Sequence, residues 1–230
     1  MKDIRGSITL PADLRGYIVL DGDAPGHEFH GNQWSGGGGK TDKTSSTLTS
    51  SEREAIVAYA GLGNEEEDRT HEQAIFEKLN SGLRSGTGDT TGIAHDLLSA
   101  IDKQPPTDAP SEYFRGLTSE GAEALLGSAP KVGAEFVDKG FVSTTTDHYG
   151  AEDYAQWGSG AGTVLHVNVP SGAHILPVGK ALGMLPSAEI WHEHILPPGG
   201  TFKVTSVAQS KDGFNHVAVD YVPAKKGVML

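Results

Sequence analysis

The sequence predicts an α+β fold, with helices in the first part of the chain and short strands in the second. Three observations carry this. Apolar side chains recur at helical spacing between residues 51 and 101. From Ser111 onward the pattern changes to short runs that alternate or are fully apolar, separated by Gly, Pro, Ser and Asp. Helices come first and most strands follow without a βαβ repeat, which excludes a doubly wound parallel sheet.

Residues 1–48 read as an arm. Ile8 to Leu10 and Tyr17 to Leu20 are short apolar runs, followed by GHEFHGNQW (Gly26 to Trp34), four glycines and the small polar run TDKTSSTLTSS. That last composition is one of a flexible linker. Gly39-Lys40-Thr41 is not a phosphate loop, because Trp34 stands where the first glycine is required and no strand-to-helix context surrounds it. Phe29 and Trp34 give the arm two aromatic anchors for docking.

Residues 49–230 read as the folded domain. Ser51 to Glu54 predicts a capping box, continued by Ala55, Ile56, Ala58 and Tyr59. NEEED (Asn64 to Asp68) reads as a solvated turn. Ile75, Phe76, Leu79 and Leu83 predict a helix over 70–84, and Ile93, Leu97, Leu98 and Ile101 a third that ends before Pro105-Pro106. Glu112 to Leu117 predicts a strand, and Ser119 to Leu126 a helix capped by Thr118 or Ser119. Phe141 to Thr145 predicts a strand and Tyr149 to Trp157 a short helix. Thr163 to Val169, His174 to Val178, Trp191 to Leu196, Thr201 to Val207 and Asn215 to Val222 complete the strands.

The bulk properties narrow the function. A net charge of −12 over 230 residues argues against nonspecific binding to nucleic acid or to an anionic membrane, which needs clustered Lys and Arg. Cysteine is absent, so no disulfide scaffold or thiolate metal site forms. No stretch reaches the length of a membrane span. The N-terminal MKDIRGSITL lacks the apolar core of a signal peptide, and synthesis in the cytosol is expected.

The run Ala188 to Val204, AEIWHEHILPPGGTFKV, reads as strand, turn and strand, with one carboxylate, Glu193, in an apolar and aromatic setting. Strand alternation puts Trp191, Glu193 and Ile195 on one face and His192, His194 and Leu196 on the other. A carboxylate so placed either pairs with a buried cation or works in a cleft.

Three polar features fall on strands in order: Arg115 in YFRGL, Ser143-Thr144-Thr145 in GFVSTTTD, and Glu193 in WHEHILPPG. With AIVAYAG, FEKLNSGLR, GTVLHVNVPSGA and ILPPGGTFKV, this series resembles the mono-ADP-ribosyltransferases of the Arg-Ser-Glu, cholera-toxin-like class over residues 51–222. The resemblance implies N-terminal helices packed on two small antiparallel sheets that form an NAD+-binding cleft. It implies that Arg115 contacts the cofactor phosphates, that Gly116, Thr144 and Thr145 line the cofactor site, and that Ser143 orients Glu193. Glu193 would accept a hydrogen bond from the 2′-hydroxyl of the nicotinamide ribose and stabilise an oxocarbenium-like cation as nicotinamide leaves. Tyr149, Tyr154 and Trp157 are candidates to stack on the nicotinamide or adenine, against a packing role in the helix core. No metal is expected.

In arginine-modifying members an acidic residue stands two positions before the catalytic Glu. Here that position is Trp191, and Glu189 lies four before. The departure leaves as acceptor another residue type, a host protein or nucleic acid, a small molecule, or water, the last making an NAD glycohydrolase. GHEFHGNQW resembles a short motif of bacteriophage structural proteins. That implies a phage-encoded protein acting in the host cytoplasm or carried in the virion, with the arm docking on a phage structural protein. Two other readings stand beside this one. One is a catalytically inactive virion component with the same fold. The other is a metal-binding protein built on His192 and His194, joined by His166 or His216, since neutral imidazoles at His-x-His spacing suit zinc or iron.

Overall fold

The computed structural model describes residues 48–62, 75–127, 129–157, 162–184, 192–211 and 213–224. The arm up to residue 47, the acidic turn, Glu189 and Trp191 lie outside these residues.

Helix α1 (Ser50–Tyr59) starts two residues earlier than the sequence suggests. Its capping box is Thr49–Glu52, not Ser51–Glu54, with Thr49 extended, its side chain accepting from Glu52 N, and Glu52 accepting from Thr49 N. The reason is tertiary. Glu52 is buried and also accepts from Ser99 Oγ at 2.5 Å and from Lys103 Nζ at 2.8 Å, which pins α1 to α3 (Ala94–Asp102), whereas Glu54 is exposed. Helix α2 (Ile75–Ser85) presents Leu79 and Leu83 to the same core.

The strands are β1 (Ser111–Leu117), β2 (Glu135–Asp138), β3 (Val142–Thr145), β4 (Thr163–Val169), β5 (Leu176–Pro177), β6 (Glu193–Leu196), β7 (Gly200–Gln209) and β8 (Asn215–Val222). Helices α4 (Ser119–Leu126), α5 (His148–Ala155) and α6 (Val178–Leu182) lie between them. The α+β class is as predicted. The strands form one hydrogen-bonded series, β2-β7-β8-β4-β1-β3-β6-β5, rather than two separate sheets. Its two parts meet at a single register pair, Phe114 with Thr145, between β1 and β3. One pair, β4 with β8, is parallel; the others are antiparallel.

The predicted strand at His174 to Val178 shrinks to Leu176–Pro177, because α6 already begins at Val178. Strand β2 carried no sequence signal: it is a four-residue strand at the sheet edge, with Glu135 and Val137 exposed and its one buried residue, Asp138, charged. Strand β6 begins at Glu193, two residues later than expected.

Two cores flank the junction. The first joins Ile56, Tyr59, Leu79, Leu97 and Ile101 of the helices to Phe141, Leu176 and Ile195. The second joins Tyr113, Leu117, Leu165, Val167, Phe202, Val217 and Val219 to Val142 and Leu196. Each fully buried aliphatic side chain contributes about 1.5–3 kcal/mol. Ile195 faces the first core and Leu196 the second, which bears out the alternation read across Glu193 to Leu196.

Candidate functional site

Strand β3 is buried at all four positions because β1 and β6 flank it and each core covers one face. Its pairing with β6 sets Thr145 opposite Glu193 and Ser143 opposite Ile195. Ser143, Thr145 and Glu193 therefore project from one face. Ser143 lies close enough to Glu193 to favour its ionised form. Burial raises the Glu193 carboxyl from an ordinary 4.5 to about 7, and the Ser143 hydroxyl only partly opposes this. A carboxyl so poised changes charge near neutrality.

Behind Ser143 lies a network that sequence reading missed. Tyr59 Oη donates to the Phe141 carbonyl at 3.3 Å and lies 3.4 Å from Ser143 Oγ. Asn80 Nδ2 donates to Tyr59 Oη at 3.1 Å, and Asn80 Oδ1 accepts from Phe141 N at 2.7 Å. Tyr59 and Asn80 are buried, so two N-terminal helices fix the start of β3 and the Ser143 hydroxyl. Burial pushes the Tyr59 hydroxyl up to about 12, with Glu193 raising it further and Arg115 lowering it. The Tyr59 hydroxyl thus lies within the electrostatic reach of both Glu193 and Arg115. The available signal for Asn80 was an amide on the Phe76–Leu83 apolar stripe.

Arg115 is buried at 4% exposure on β1, the strand paired with β3. Gly116 occupies a different environment. A Cβ there would lie 2.1 Å from the Ala151 carbonyl oxygen and 2.9 Å from Tyr154 Cβ, so Gly116 lets α5 close onto β1. Thr144 Oγ1 donates to the His194 carbonyl at 2.9 Å, bracing β3 against β6, while Thr145 Oγ1 accepts from Asp147 N at 2.9 Å. Of the stacking candidates, Tyr154 is buried in the first core, whereas Tyr149 and Trp157 are exposed at 76% and 54%.

The His192–His194 pair does not assemble with His166 and His216. The His194 ring packs on Tyr113 with centroids 4.9 Å apart, and His192 Nδ1 lies 3.0 Å from Thr146 Oγ1. The imidazoles that converge among the described residues are those of His148, His166 and His216.

No protein-family model matches this sequence, and no curated protein does. Solved structures do. One is exoenzyme S from Pseudomonas aeruginosa, bound to carba-NAD and in complex with human 14-3-3 protein beta. It is 19% identical, with a TM-score of 0.54 over 77% of this chain and 80% of that one. A second is C3stau2 from S. aureus with NAD, 16% identical, with a TM-score of 0.56 over 78% and 90%. A third is the ADP-ribosyltransferase Vis from Vibrio splendidus in complex with agmatine, 18% identical, with a TM-score of 0.56 over 79% and 78%. At these identities the likeness is one of architecture: the chain has the ADP-ribosyltransferase fold.

Proposed function

We propose that the protein cleaves NAD+ at the bond between nicotinamide and ribose and transfers the ADP-ribose to an acceptor, as a mono-ADP-ribosyltransferase of the Arg-Ser-Glu type. The observation that carries this is the buried Ser143 and Glu193 projecting from one face of adjacent strands, with Arg115 close enough to act on the same tyrosine. The fold likeness to proteins solved with NAD and carba-NAD supports the same reading.

The residues fit this substrate. A guanidinium matches a pair of phosphate oxygens. Glu193 as carboxylate accepts from the ribose 2′-hydroxyl and faces the positive charge that grows at the anomeric carbon. The carbon–nitrogen bond breaks with its electron pair moving to nicotinamide, which leaves neutral. The acceptor nucleophile then forms the new bond at that carbon and gives up its proton. Glu193, titrating near neutrality, is suited to take that proton. Ser143, held by Tyr59 and Asn80, keeps the carboxylate aimed.

Trp191 and Glu189 would stand on the acceptor side. An indole in place of an acid disfavours a guanidinium acceptor, although its face still attracts cations by about 0.5–2 kcal/mol. The test is incubation with NAD+ labelled in the adenylate, with and without agmatine and host lysate, following free nicotinamide and the label. Nicotinamide release with label on a macromolecule supports transfer, and release with free ADP-ribose alone supports the glycohydrolase. No nicotinamide release in any mixture refutes the proposal.

A further inference from the structure

We propose that His148, His166 and His216 form a binding site for one divalent first-row transition ion of the zinc type, separate from Glu193. The three residues come from the start of α5, from β4 and from β8, and one ring nitrogen of each lies within 4.8 Å of the others. Parallel pairing sets Val164 opposite His216 and His166 opposite Ala218, so both histidines leave the same face of adjacent strands. Helix α5 covers that face and supplies His148, whose ring stacks on His216 at 5.8 Å and 5°.

The outer nitrogens have carboxylates beside them. His166 Nδ1 lies 3.2 Å from Glu112 Oε1, and His148 Nδ1 lies 3.5 Å from Glu152 Oε1. A carboxylate on the far nitrogen fixes the ring and raises its basicity, as in carboxylate–histidine–zinc triads. It also leaves Nε2 of each ring for the ion. His166 Nε2 is 3.0 Å from His216 Nδ1. Two nitrogens at zinc-bond length in a tetrahedron are about 3.3 Å apart, so small ring shifts would replace that hydrogen bond with a metal ion. His216 would then bind through Nδ1 and carry its proton on Nε2, with no net proton released from the neutral ring.

The alternative is aromatic packing alone, since the Phe114 ring meets His148 and His166 edge-on at 4.9 and 5.2 Å. Packing accounts for the ring contacts and helical i,i+4 spacing for Glu152, but neither accounts for Glu112 lying beside the outer nitrogen of His166. Three protein nitrogens at half-buried residues leave a fourth position for water, the pattern of open zinc sites. The ion would tie α5 to the β4–β8 pair beside Phe114, the residue before Arg115.

The full chain, stripped of metal with a chelator, is titrated with zinc by calorimetry and with cobalt(II) by visible absorption. The expected result is one ion per chain with tetrahedral cobalt bands. His166→Ala and His216→Ala should each bind roughly a hundredfold more weakly or worse, and Glu112→Gln about 10–100-fold more weakly. His192→Ala and the double variant His27→Ala/His30→Ala should bind as the parent chain does. Circular dichroism checks each variant's fold. If an alanine variant fails to fold, the parent chain's imidazole NMR resonances decide: zinc must move those of His148, His166 and His216 and spare His192. No saturable binding by the parent chain overturns the proposal. So does undiminished binding by folded His166→Ala and His216→Ala, or zinc-induced shifts confined to other histidines.

Discussion

Replacing Glu193 by Gln should make the protein more stable above neutrality while abolishing NAD+ cleavage. Burial raises the carboxyl from 4.5 to about 7, so in the folded state ionisation is penalised. For a raised acid the stabilising contribution is fully present below 4.5 and is lost as pH rises through about 7. The gap corresponds to about 3 kcal/mol between pH 4.5 and pH 8. Gln keeps the shape but cannot ionise, so the parent's stability should fall relative to the variant's by about that amount over the same range. The carboxylate's charge is what would stabilise the ribosyl cation, and losing one such group costs about two to four powers of ten in turnover. Urea unfolding of both proteins between pH 4.5 and 8, with nicotinamide release measured alongside, reads both effects. The parent's release should fall as pH drops through about 7 and the carboxyl protonates. A constant stability difference across the pH range would refute the buried-carboxyl argument, and near-parental turnover by the Gln variant would refute its role in cleavage.

Arg115→Ala should weaken NAD+ binding by about 1.5–3 kcal/mol, read by calorimetric titration, and unchanged affinity would remove Arg115 from the site. Gly116→Ala should lower stability by about 1–3 kcal/mol, because its Cβ would meet the α5 backbone. An unchanged melting temperature with weakened NAD+ binding would instead make Gly116 a cofactor contact. Glu52→Ala should cost about 1.5–3 kcal/mol in chemical denaturation by releasing Ser99, Lys103 and Thr49. Burial opposes ionisation of Glu52, but hydrogen bonds from Lys103, Ser99 and Thr49, with the Lys103 charge, hold it at about 2. The parent's advantage over that variant should therefore be present above pH 4.5 and vanish as pH falls through about 2.

Periodicity is a local property, and where one face of an element is buried it was written in the sequence. Strands β4 and β8 were read at their observed bounds because Val, Leu and Tyr alternate with polar residues along them. Leu79 and Leu83, and Leu97 and Ile101, marked α2 and α3 in the same way. The ordered Arg115, Ser143 and Glu193 also stood out, since polar groups on otherwise apolar strands need a reason. The sequence pointed to Ser51–Glu54 as the capping box where the structure uses Thr49–Glu52, because the choice depends on Ser99 and on Lys103, which come from beyond α1. It paired His192 with His194 by proximity in the chain, yet the His192 ring meets Thr146 while the His194 ring packs on Tyr113. The histidines that converge are separated by 18 and 50 residues, and only the parallel β4–β8 pairing under α5 brings them together. Tyr59 and Asn80 read as ordinary helix positions until α1 and α2 closed over β3 and made them the support of Ser143. The protonation of Glu193 belongs to the same class. A carboxyl on a strand titrates near 4.5 or near 7 according to how completely its neighbours exclude water, and those neighbours come from the whole chain.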